Sequence, residues 1–234
     1  MKKIIAFITA FVLFIGVAFS AHIFTNEELN TNNSEFGTWI STKKDLSYRA
    51  VSSNIEEDTF MMMGSSEFNH GKKTPYHPTQ MFRKLNMNVM CIGAAQNQSL
   101  SHAITLAAVA PKLKTKKVVI IVSPSWFAAE GVDAAGFAAR FSESMYEEFL
   151  RNKDIPEETK SAIIKRADEL LKKSPEIHKR AKTAEKLITN GDCSLEEKVK
   201  SKFDGWINIY LLKREKNRTG KNWLKRPMPL CKER

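Results

Sequence analysis

The 234-residue chain has little cysteine, and what it has is not arranged for chemistry. Cys91, Cys193 and Cys231 are odd in number and form no C-x-x-C pair, so they indicate neither a disulfide framework nor a zinc site. No glycine-rich phosphate loop is present, nor any paired metal-ligand spacing. No metal, nucleotide or other cofactor is therefore expected. Internal repeats and low-complexity tracts are also absent. With 42% hydrophobic and 27% charged residues, the composition is that of a globular chain with one core of ordinary size.

Acidic residues are scarce in one region only. Residues 1–150 carry 14 Lys and Arg against 13 Asp and Glu, whereas residues 151–234 carry 23 against 13. The net charge of +11 thus sits almost wholly in the last third. Such asymmetry suits a polyanionic neighbour: nucleic acid, anionic lipid headgroups or a phosphate polymer. Clusters such as Lys172-Lys173, Lys179-Arg180 and Lys213-Arg214 equally suit solvated helix faces.

The N-terminus carries the clearest compositional signal. Lys2 and Lys3 precede a run from Ile4 to Phe24 that is apolar except for Thr9, Ser20 and His22. About 20 residues at ~1.5 Å each span the hydrocarbon layer of a bilayer. Two lysines ahead of the run favour an N-terminus inside, with the bulk of the chain outside the cytoplasm. Ala18-Phe19-Ser20 also fits a small-x-small cleavage site, so a removed signal peptide suits the same residues. Either reading sets nucleic acid aside as a partner.

Three short apolar runs read as buried strands: 59–63, 88–92 and 118–122. Val118-Val119-Ile120-Ile121-Val122 is wholly β-branched, and such continuous runs predict parallel strands covered on both faces. A small, apolar helix is predicted from Ser99 to Ala110, which makes a βαβ unit. Beyond residue 150, Asp154-Ile155-Pro156, Ser174-Pro175 and the capping box Ser194-Leu195-Glu196-Glu197 open three helices. The predicted organisation is a membrane anchor or uncleaved signal over 1–25 and a polar stalk over 26–57. An α/β core over 58–150, a helical subdomain over 151–210 and a poorly packed basic tail over 211–234 follow.

Gly64-Ser65-Ser66-Glu67-Phe68 is the main candidate for chemistry. A serine just past a parallel strand lies where open α/β sheets place their ligands, and free N–H groups of a starting helix can stabilise an oxyanion. The same residues suit a helix-capping serine in a plain strand-to-helix connection. His70, four residues after Ser66, would share its face only if a helix continued through Gly71.

Met63-Gly64-Ser65-Ser66-Glu67-Phe68 resembles the Gly-Ser-Ser-Glu signature of the DltD family. Tyr76-His77-Pro78-Thr79, Ile92-Gly93-Ala94-Ala95-Gln96-Asn97-Gln98-Ser99 and Val119-Ile120-Ile121-Val122-Ser123-Pro124-Ser125-Trp126-Phe127 resemble its later blocks, in order. The resemblance implies an SGNH-hydrolase-like three-layer α/β/α fold around a parallel sheet, here with an incomplete C-terminal part and a helical insertion. It implies Ser66 as nucleophile, with Ser65 standing where those enzymes have aspartate, and the Gly93 N–H in the oxyanion hole. Asn97, Gln98 and Trp126 are implied pocket residues, and His77 and Glu67 structural or pocket residues. The family takes its Asp and His from a D-x-x-H segment near the end of a longer chain. None of the five histidines here has an Asp three residues before it. The chain is therefore expected to be truncated and to lack a base for Ser66, which is a poor nucleophile unassisted. The implied role is serine-dependent D-alanyl ester transfer or hydrolysis in lipoteichoic acid biosynthesis at the plasma membrane. Its implied partners are a D-alanyl donor, a membrane-bound acyltransferase of that pathway and lipoteichoic acid itself. A non-catalytic scaffold and an inactive fragment are the alternatives.

Overall fold

The computed structural model describes residues 2–26, 34–85, 87–127, 131, 133–189, 199, 206–207 and 209–215. Helix α1 (Lys2–Asn26) holds the N-terminal apolar run. It is the one described helix long and apolar enough to cross a membrane, and its apolar side chains are exposed.

Three short helices follow: α2 (Ser34–Thr38), α3 (Thr42–Asp45) and α4 (Tyr48–Ser52). Ser41 and Ser47 cap α3 and α4, their hydroxyls accepting from the N–H of Lys44 and Ala50. This stretch was expected to be a stalk, and the structure corrects that. Phe36, Trp39, Ala50 and Val51 are buried in the main core. Helices of four or five residues show no periodic stripe, so their burial leaves little trace in the pattern of residues.

The sheet has three parallel strands, β1 (Phe60–Gly64), β2 (Val89–Gly93) and β3 (Val118–Ile120), in the order β2-β1-β3. Helix α5 (Pro78–Leu85) lies between β1 and β2 in sequence, and α6 (Ser99–Val109) between β2 and β3. The register pairs Met62 with Cys91 and Val119, so the three strands begin and end nearly level. Alternate residues face opposite ways. Met61, Met63, Met90 and Ile92 join the large core with α4 and α6. Phe60, Met62, Val89 and Cys91 join a smaller one with Phe68 and Phe82. Helices thus cover both faces, which gives the expected three layers.

The wholly β-branched run at 118–122, expected to be covered on both faces, is not. Val119, Ile120 and Val122 are 43%, 45% and 50% exposed, because β3 has no strand on its outer side among the described residues.

Helices α7 (Ala134–Arg140), α8 (Glu143–Arg151), α9 (Glu157–Leu171) and α10 (Pro175–Thr189) complete the described fold. Met145, Phe149, Ala167, Leu171 and Ala184 join the large core that lines the sheet. The predicted third helix, from Ser194, falls mainly outside the described residues. The start of the tail over 211–234, expected to be poorly packed, is helical through residue 215 and buries Leu212 in that same core, beside Ile209 from the end of the predicted helical subdomain.

Candidate functional site

The site is built at the C-terminal ends of β1 and β2. Gly64 closes β1, and a Cβ there would run into the Glu67 carboxylate and the Phe68 ring. Ser65 follows in a bent backbone conformation and is buried. Its hydroxyl donates to the carbonyl of Ala94 at 3.4 Å, and its N–H donates to Glu67 Oε1. Ser66 opens a single 3-10 turn (Ser66–Asn69) and is exposed. The two serines thus divide the work: Ser65 ties β1 to the loop after β2, and Ser66 faces outward.

His77 supports the turn from below. Its Nδ1 accepts from the N–H of Thr79 at 3.2 Å, which leaves Nε2–H to donate to the carbonyl of Phe68 at 2.9 Å. One ring nitrogen therefore anchors the ring at the start of α5, and the other holds the turn. His70 follows the turn in an extended conformation and is exposed, so no helix carries it beside Ser66. No histidine is hydrogen-bonded to Ser66 among the described residues.

Gly93 ends β2 directly beside Gly64. A Cβ on Gly93 would lie 2.6 Å from the Gly64 carbonyl oxygen. Its N–H, expected in an oxyanion hole, is taken instead: it donates to Asp45 Oδ2 at 3.0 Å. Asp45 lies 48 residues away on α3 and is buried. Burial pushes its carboxyl up to about 6, against the opposing pull of Lys44, the Gly93 N–H and Arg140. Nothing local in the sequence marks Asp45 as a site residue.

In the loop after β2, Gln96 sits in the left-handed region at φ 72°. Arg140 holds this loop, donating from Nε to the carbonyl of Ala95 at 2.7 Å and from Nη1 to Thr42 Oγ1 at 2.9 Å. Asn97 is buried and lines a small cavity with Asp45, Ser101, Thr105 and Arg140. Gln98 caps α6 without using its side chain and is half-buried.

Trp126 lies in a short 3-10 turn (Pro124–Phe127), its ring 5.5 Å from that of His102. His102 is buried on α6, and neither ring nitrogen has a hydrogen-bond partner of good geometry. Burial lowers it to about 4, which the Gly64 backbone partly opposes, so the ring is neutral at physiological pH. His102 was not singled out from the sequence, where it is one polar residue on an otherwise small, apolar helix.

An Asp–His pair does form, but elsewhere. Asp168 on α9 accepts from His178 on α10 at 2.7 Å and also bridges Lys182 and Lys172. Its bonds to His178 and Lys182 hold the carboxyl far below the usual range. Helix α10 packs on α8 and α9, and this pair belongs to that packing.

The chain matches the family described as "DltD protein" over residues 33–222. It is 32% identical to Protein DltD of Staphylococcus aureus over 121 residues, covering 51% of this chain and 29% of that one. It is 29% identical to Protein DltD of Bacillus subtilis over 163 residues, covering 68% and 41%. With Protein DltD of Lacticaseibacillus rhamnosus it shares 30% over 98 residues, covering 41% and 22%. The chain thus spans less than half the length of each of these relatives.

Proposed function

This chain belongs to the DltD protein family, and from that premise we propose that it is an extracytoplasmic, membrane-anchored component of teichoic acid D-alanylation. Ser66 is the group that meets the D-alanyl ester, in transfer or hydrolysis. The observation that carries this reading is the exposure of Ser66 at the C-terminal lip of a parallel sheet, on a turn held by Ser65, Glu67 and His77. Helix α1 supports the anchor. The basic last third suits lipoteichoic acid, a polymer of repeated negative charge. The proposed partners are a D-alanyl donor and a membrane-bound acyltransferase of the same pathway.

One observation favours a second reading, a non-catalytic binding or scaffold role. His77 is committed to the turn, His178 to Asp168, and no histidine reaches the Ser66 hydroxyl among the described residues. A fluorophosphonate probe applied to the full chain in detergent separates the two. Labelling that disappears in Ser66→Ala and persists in Ser65→Ala supports the serine chemistry. Labelling indifferent to Ser66→Ala leaves the scaffold reading.

A further inference from the structure

Asp45 presents only one of its oxygens to a hydrogen-bond donor. Oδ2 accepts from Gly93, while Oδ1 is buried with no partner. A buried carboxylate oxygen left unpaired is costly. Asp45 lines the cavity enclosed by Thr42, Asn97, Ser101, Thr105 and Arg140. The room there for the centre of a water molecule is about 10 Å³. That is close to the ~10–15 Å³ one water requires, and far too small for an organic ligand. Asn97, Ser101 and Thr105 are among its lining residues, and their polar side chains are the candidates for the two to four polar partners a buried water needs.

We infer that this cavity is a binding site for one water molecule donating to Asp45 Oδ1, and that water and carboxylate together form a proton-responsive support for Gly93 and, through it, for the serine turn. The path is short. Asp45 holds the Gly93 N–H, and the Gly93 backbone lies against the Gly64 carbonyl one residue before Ser65. Asp45 is thus a positioning residue, and the inference does not depend on Ser66 being reactive. The charged and titratable groups around it are Lys44 on its own helix, Arg140 on α7 and Glu215 in the helical segment 209–215. Cys91 on β2 is pushed up to about 12 by burial and stays a neutral thiol. Because the carboxyl is raised in the folded chain, its contribution to stability is complete below the ordinary value of 3.8 and is lost as pH rises through about 6.

The test uses the full chain in detergent micelles, with amide NMR signals followed from pH 4.5 to 8 and a crystal structure that resolves waters. The Gly93 and Ser66 amide signals are expected to move together, in one step with a midpoint of about 6. That step disappears in Asp45→Asn, and the crystal shows a water on Oδ1. A Gly93 signal that stays flat, a Ser66 signal that does not follow it, or no water in the cavity overturns the inference. Should Asp45→Asn not fold, Thr105→Val keeps the shape and removes one hydroxyl. Its midpoint is expected to rise, and an unchanged midpoint counts against the water.

Discussion

The two edges of the sheet are finished differently. At the β2 edge, α2 lies so close that a Cβ on Gly37 would overlap the Val89 carbonyl. Lys44 is fully buried there, and its Nζ donates to the carbonyls of Cys91 at 2.7 Å, Gly37 at 3.1 Å and Phe36 at 3.5 Å. One ammonium thus satisfies an edge strand and the end of the helix that covers it. At the β3 edge, Val119 and Ile120 stand open to solvent. A buried charge is tolerable only when all its hydrogen bonds are made, so the β2 edge depends on a few irreplaceable atoms. Among the described residues, no buried ammonium serves the β3 edge in this way.

The largest effect is expected where α2 meets β2. Gly37→Ala should push the helix off the strand and cost more than about 3 kcal/mol, read from the urea midpoint of the full chain in detergent. Next is the same truncation made on both edges. Ile92→Ala removes a side chain that is 1% exposed and should cost about 3 kcal/mol. Ile120→Ala, at 45% exposed, should cost less than about 1 kcal/mol. Equal losses at the two positions would erase the contrast. Lys44→Met keeps the volume but strands three carbonyls, so a loss of about 2 kcal/mol is expected. A neutral result would mean that water takes over the ammonium's role.

The smallest effect belongs to Asp168, a charge paired with Lys172, His178 and Lys182 whose side chain is 22% exposed. Asp168→Asn should cost less than about 1 kcal/mol at neutral pH. The Asp168 carboxyl is depressed, so its contribution is present above the ordinary carboxylate value and lost as pH falls through the folded one. Thermal midpoints of wild type and variant should therefore converge in acid.

Much of the sheet was legible from residue order alone. The runs at 59–63, 88–92 and 118–122 mark strands seen at 60–64, 89–93 and 118–120, and α6 appears where small apolar residues recur at helical spacing. The turn at Gly64 was legible because glycine followed by two serines after an apolar run has few other uses. What escaped depended on distant partners. A run of β-branched residues indicates burial, but it does not say whether another strand will lie beside it, as β3 shows. Lys44 and Asp45 look like ordinary surface charges in a polar stretch. Their roles appear only when β2, more than forty residues later, brings Cys91 and Gly93 against them.

The packing of α2 onto β2 also sets how far the folded unit can stray from α1. Had residues 26–57 been a free tether, their full extension would have reached about 110 Å. With the fold beginning at Ser34, the eight steps from Asn26 allow at most about 29 Å. If α1 moors the chain in a bilayer, the folded unit is therefore held on a short leash: its first helix starts within a few tens of ångströms of the lipid instead of ranging freely above it.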